Sequence, residues 1–313
     1  MKYYPHDINE YFANNQEERL IQVAESRHTL QFEQLRRLIN FSCMRTIGNH
    51  LTAAVLVTGP SSSGKTTFSN RLCRLMEKDG FHCTVISIDD YYLSRKEIKR
   101  RQPNAINPDY ECLEAFDVEY FQKQMTLFLN GETIRLPRYD FKIGDRVDSG
   151  ITLSPTEKDL LIIEGIHAMN PKLTEGLEFA RTIGVYICPF DSYSIPGKGE
   201  ITSREIRLMR RSLRDHVHRN SSIMDTLEMW PSVRAGEERY IKPMKQYADF
   251  FFNSSFEYEI CILKARIEEA IHHLSDEELL KLKQYLPLEL LSEFHSCPEA
   301  NIPEESIFNE FYR

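Results

Sequence analysis

Between Thr52 and about Leu274 the chain alternates short, unbroken apolar runs with longer amphipathic stretches. The runs are Ala53–Thr58, Cys83–Ile88, Leu160–Ile163, Thr182–Ile187 and Asp249–Phe252. A strand that is apolar at consecutive positions is one buried on both faces, as in a parallel sheet covered by crossover helices. The pattern predicts an α/β domain over residues 51–274. Ahead of it, residues 1–50 place apolar side chains at helical spacing, which predicts two helices near Glu17–Thr29 and Phe32–Thr46. Behind it, residues 275–313 open with a helical pattern near Asp276–Tyr285. They continue past Pro287, Pro298 and Pro303 as a looser acidic tail, outside the α/β unit.

Charge sharpens this division. The 313 residues carry a net charge of −8. From Ser275 to Arg313 nine acidic residues face three basic ones, so the body of the chain is nearly neutral. A nucleic-acid partner held by broad phosphate neutralisation needs a basic face, which this balance does not supply. No apolar run approaches the roughly 18 residues of a membrane helix, so no membrane partner is expected. The seven cysteines are scattered and never spaced as Cys-x-x-Cys, and the ten histidines form no His-Glu-x-x-His pattern. Reduced thiols, a cytoplasmic location and no structural zinc follow as expectations. Whether the chain forms a homo-oligomer is left open.

The most specific local signal is Gly59-Pro60-Ser61-Ser62-Ser63-Gly64-Lys65-Thr66, followed by Thr67. It completes the G-x-x-x-x-G-K-[ST] pattern, and it falls between a predicted strand and an amphipathic stretch, Thr67–Glu77. Glycines at both ends let successive backbone amides turn toward one anion, and the following helix adds its positive N-terminal end. Lys65 would then reach the β and γ phosphates of ATP, with the Thr66 hydroxyl on Mg²⁺.

Two carboxylates sit at strand ends, where ligands of open α/β sheets bind. Asp89 follows one apolar run and is placed to accept the proton of an attacking hydroxyl. Glu164 follows another and would face the magnesium, whereas Asp90, beside Asp89, must point elsewhere. Further on, Thr202-Ser-Arg-Glu205 reads as a capping box that starts a helix near Ser203. On that helix Arg204, Arg207, Arg211 and Arg214 fall on one stripe, with Ile206, Met209, Leu213 and Val217 on another. Such a helix suits a lid over a triphosphate, and Pro196–Gly199 before it reads as a hinge.

These residues, with Ile88-Asp89-Asp90-Tyr91-Tyr92, Leu136-Pro-Arg-Tyr139-Asp140-Phe141, Ile162-Ile-Glu164-Gly165 and Arg210-Arg211-x-x-Arg214-Asp215, resemble the uridine kinase family within the phosphoribulokinase/uridine kinase group. Trp230-Pro-Ser-Val-Arg234 and Asn253-Ser-Ser look like a bacterial branch in which some kinase units follow threonyl-tRNA synthetase-like domains. The resemblance covers roughly residues 20–272. It implies a P-loop NTPase-type parallel sheet flanked by helices, with a helical arginine-bearing lid. It also implies Mg²⁺-dependent transfer of the γ-phosphoryl group of ATP to the 5′-hydroxyl of a nucleoside. Carried over by position, Asp89 is the base, assisted by Lys65, Arg211 and Arg214, and Thr66, Asp89 and Glu164 surround the metal. Asp109, Tyr139, Tyr91 and Arg211 would contact the acceptor. Gly144 stands about where the family carries a base-reading histidine, and Met229 near its lid glutamine. Two other readings therefore stay open: a kinase of another small hydroxyl compound, such as a sugar phosphate or a pantothenate-like acid, and a non-catalytic ATP-binding module.

Overall fold

The computed structural model describes residues 1–44, 51–103, 108–219, 221–298 and 300–312. Its centre is a sheet of five parallel strands: β1 (Leu51–Thr58), β2 (His82–Ser87), β3 (Lys158–Glu164), β4 (Arg181–Cys188) and β5 (Phe250–Asn253), in the order β5-β4-β1-β3-β2. Each predicted apolar run lies in one of these strands or overlaps it to within a residue. Alternating residues of β1 explain the unbroken run. Ala53, Val55 and Val57 enter one core and Ala54 and Leu56 the other, on opposite faces of the sheet.

Two helices cover the first face. Helix α1 runs unbroken over Glu17–Cys43, where the pattern predicted two helices. No glycine or proline interrupts residues 29–32, and the buried stripe Leu20, Ala24, His28, Phe32, Leu35 and Ile39 runs straight through. Arg45 and Thr46, the end of the expected second helix, lie outside the described residues. Helix α2 (Lys65–Glu77) packs beside it, and Phe32, Phe68 and Phe252 meet with ring centroids 4.8–5.1 Å apart.

The segment 275–312 is the main departure from expectation. It does not trail away. Leu282, Leu286, Leu291, Phe294, Ile302, Ile307, Phe308 and Phe311 are buried in the same core as α1, α2 and the arginine helix α3 (Ser203–Arg219). Its prolines break regular structure, but its apolar residues are spaced closely enough to hold an irregular path against the body. Two smaller changes follow from local pairing. Pro196–Gly199 joins the strands Ser192–Ile195 and Gly199–Ile201 as a hairpin turn, and Val217 is exposed. The pattern also did not announce the antiparallel hairpin Ile134–Asp140/Asp145–Leu153.

His28 shows how tightly this face is closed. Its ring stacks on Phe256 at 3.9 Å, and Nε2 lies 2.9 Å from the Ser255 carbonyl. Burial lowers its pKa to about 3. Because the folded value lies below the unfolded one, the unfolded chain binds the extra proton between about pH 6.5 and 3. The contribution to stability is present above pH 6.5 and is lost as the pH falls through that window. Lowering the pH from 7 to 5 is expected to cost about 2 kcal/mol through this group alone. In urea titrations at both pH values, His28→Phe should lose correspondingly less than the wild type. Equal losses would remove His28 from the acid sensitivity.

Candidate active site

The loop between β1 and α2 curls around its own amides. Ser62 and Gly64 adopt positive φ, +59° and +92°. A side chain at position 59 would collide with the Ile187 carbonyl, so only glycine fits there. Lys65 Nζ donates to the carbonyls of Gly59 (3.0 Å) and Pro60 (3.3 Å), folding the ammonium over the loop. The hydroxyls of Ser62 and Ser63 are buried and have no hydrogen-bond partner. Buried donors without partners cost free energy. Here they line the cradle in which a phosphate would supply acceptors.

The strand ends bring a second set of groups to this loop. Glu164, at the end of β3, is buried and accepts from Thr66 Oγ1 (3.3 Å) and Ser87 Oγ (3.0 Å). Desolvation is the main cause that lifts its pKa to about 7, with the charge of Asp89 adding to it and Lys65 opposing. Asp89 sits half-buried on the short turn Ile88–Tyr91 directly after β2. Thr66, Asp89 and Glu164 thus converge on one spot, whose chemistry, one hydroxyl and two carboxylates, suits a hard cation that also takes phosphate oxygens and water. A cation there would offset the cost of ionising Glu164. Among the described residues no cluster of three or more His, Cys, Asp or Glu forms a metal cage.

The arginines of α3 divide by role. Arg211 Nη1 donates to Ser61 Oγ at 2.7 Å, and its Nε lies 3.2 Å from the buried carboxylate of Asp215 one turn on. Arg207 reaches the Ser61 carbonyl at 3.3 Å but is held by Glu237 at 2.6 Å. Arg214 pairs with Asp215 at 3.5 Å and with Glu310 at 3.7 Å. Arg210 faces inward: it and Glu259 form a fully buried pair at 2.7 Å.

Tyr139 lies within a cluster of rings. Its centroid lies 5.5 Å from Tyr92 and 5.0 Å from Phe141, and Tyr92 stacks on Phe116 at 4.1 Å. Tyr91 does not join this cluster. It is 1% exposed, its ring packs on Phe121 and its hydroxyl donates to Gln124, so the expected acceptor contact is corrected to a core position. The short helical turn at 88–91 sends neighbouring side chains in different directions, and Tyr92 is the one that meets Tyr139. Asp90 also points away from the loop, accepting the Tyr139 amide at 2.9 Å. Asp109 is tied down, accepting from Tyr240 Oη (2.8 Å) and the Glu111 amide (2.9 Å). Glu111, which no motif singled out, packs its side chain against Gly236. Burial lifts its pKa to about 6, and Arg211, Asp89 and Lys65 all act on its charge.

Residues 54–189 match the model of the Phosphoribulokinase / Uridine kinase family. A uridine kinase of Limosilactobacillus reuteri is 28% identical over 234 residues, 74% of this chain and 97% of that protein. One from Staphylococcus aureus is 26% identical over 223 residues, 70% of this chain and 97% of its own length. Among solved structures, a protein from Silicibacter described as a fructose transport system kinase superposes with a TM-score of 0.51. It is 17% identical, covering 70% of this chain and 98% of its own. The expected P-loop α/β architecture is the one observed, and no helix among the described residues is long and apolar enough to cross a membrane.

Proposed function

We propose that this chain, through its phosphoribulokinase/uridine kinase family domain, transfers the γ-phosphoryl group of ATP to the 5′-hydroxyl of a nucleoside. The observation that carries the reading is the convergence of the curled Gly59–Thr66 loop, Asp89 and Glu164 beside a platform of aromatic rings. A planar base can stack on the exposed ring of Phe141 at the edge of this cluster, with the attached sugar turned toward Asp89. Asp89 then takes the proton of the attacking hydroxyl. Lys65 leaves its own loop carbonyls for the phosphates. Arg211, held by Asp215, meets charge as it moves off the transferring group. Thr66, Asp89 and Glu164 would hold Mg²⁺, which when bound neutralises phosphate charge and orients the γ-phosphoryl group.

One observation favours a second reading, a kinase of another small hydroxyl compound. Position 144 is a glycine at φ +71°, and a side chain there would strike Arg95, whose guanidinium donates to the Phe141 carbonyl. The spot next to the ring platform thus belongs to arginine, a fixed cation suited to carboxylate or phosphate as well as to a base carbonyl. ADP release measured across nucleosides, sugar phosphates and pantothenate, with a no-acceptor control, separates the readings. A pyrimidine or purine nucleoside should stimulate release at least tenfold over the control. Stimulation by an acidic acceptor alone would select the second reading, and none by any acceptor would leave a nucleotide-binding module.

A further inference from the structure

The segment 302–312 lies on the nucleotide loop. At the first turn of α2, Glu310 Oε2 accepts from the Thr67 amide (3.3 Å) and the Thr67 hydroxyl (3.1 Å). The N-terminal end of that helix is where the G-x-x-x-x-G-K-T arrangement directs amides at phosphate, so a carboxylate stands in an anion's place. The other carboxylate oxygen of Glu310 lies 3.7 Å from Arg214, on the helix that bears the lid arginines. Ile307 covers the loop itself, since a side chain at Gly64 would run into it. Phe311 lies under the Arg210 guanidinium at 4.9 Å, and Phe308 packs edge-on to Tyr258. Arg71, which donates to the Glu305 carbonyl at 3.3 Å, and Tyr258, 3.4 Å from Ser306 Oγ, anchor the near end.

From this arrangement we infer that residues 302–312 form an autoinhibitory gate, in which Glu310 competes with a nucleotide phosphate for Thr67 and Arg214. The inference rests on the kinase reading above. Two anions cannot share one amide, so the nucleotide takes its full set of contacts only when Glu310 leaves Thr67. The segment would have to withdraw Ile307, Phe308 and Phe311 from the core, a cost that the nucleotide's own contacts offset. Its backbone-to-backbone bonds are local ones, such as Ser306 N to the Pro303 carbonyl and Phe311 N to the Phe308 carbonyl, and no strand pairing is broken when it lifts. Arg214 passes from the Glu310 carboxylate to phosphate, which couples opening of the gate to engagement of the lid.

The test uses the full chain and Mg²⁺-ATP. Glu310→Gln keeps the shape and removes the competing charge. If the closed form predominates, apparent affinity is reduced by the fraction that is open, and removing the gate restores it. Calorimetric titration should therefore give a Kd about tenfold lower for the variant than for the wild type. In the wild type, hydrogen exchange of residues 306–311 should rise on saturation with Mg²⁺-ATP while the 59–67 amides become protected. This second measurement needs no variant and stands if Glu310→Gln fails to fold. Unchanged or weaker binding by the variant, or a segment that stays equally protected with ATP bound, would overturn the gate alone. ATP binding to neither protein would overturn the gate together with the kinase reading.

Discussion

Asp89→Asn is expected to lower acceptor-dependent ADP release by about two to four orders of magnitude, the usual range for loss of a general base. Asparagine keeps the shape on the turn after β2 but cannot accept the proton or carry charge. Asp89 also faces the spot where Mg²⁺ would sit, so nucleotide affinity should fall as well, and added Mg²⁺ should recover only that part. Asp90→Asn is the internal control. Its side chain accepts the Tyr139 amide at 2.9 Å and so holds the hairpin that carries the ring platform. Its loss should raise the KM for the acceptor by a few-fold while leaving kcat nearly intact, because it touches positioning and no reacting atom. Steady-state kinetics at saturating Mg²⁺-ATP distinguish the two. An indispensable Asp90 beside a dispensable Asp89 would mean that the base is the wrong one of the pair.

How far such roles were legible in the sequence depended on how local their cause is. The loop from Gly59 to Thr66 was readable because two glycines, a lysine and a threonine at fixed offsets answer to backbone geometry within eight residues. The sheet was readable because β1 to β5 are buried on both faces and so apolar throughout. The hairpin 134–153 was not, since its strands are half-exposed and Pro137 follows a register shift that breaks the alternation. Tyr91 and Tyr92 are adjacent and chemically equal; only the turn at 88–91 decides which one enters the core. Glu111 carried no motif, and its place is set by packing against Gly236, more than a hundred residues further on. Segment 302–312 misled for a different reason. Its three glutamates and Pro303 continue the acidic, proline-interrupted pattern of residues 275–313, while Ile302, Ile307, Phe308 and Phe311 decide where it goes.

The same distinction between neighbours governs the second large effect, at Arg211. Arg210 and Arg211 are consecutive on α3 and equally cationic, yet only Arg211 reaches the nucleotide loop, through Ser61 Oγ at 2.7 Å. Asp215, one helical turn away and buried, fixes the direction of its guanidinium. A forked cation so held matches oxygens that gain charge as the phosphoryl group moves, which is where arginines in phosphoryl transfer contribute most. Arg211→Ala is therefore expected to lower kcat by roughly a thousandfold, the lower end of what such arginines supply, with ATP affinity reduced far less. Arg211→Lys should recover only part, since an ammonium is a point charge that cannot bridge two oxygens. Arg210→Ala gives the opposite signature. Its partner Glu259 would be left charged and fully buried, so folding stability should fall by about 3–5 kcal/mol in a denaturant titration. The protein that remains folded should turn over at a rate close to the wild type. Stopped-flow single-turnover measurements with both variants, normalised to the folded fraction, decide the assignment. If Arg211→Ala weakens ATP binding as much as it slows transfer, the residue anchors the ground state and the lid role is wrong.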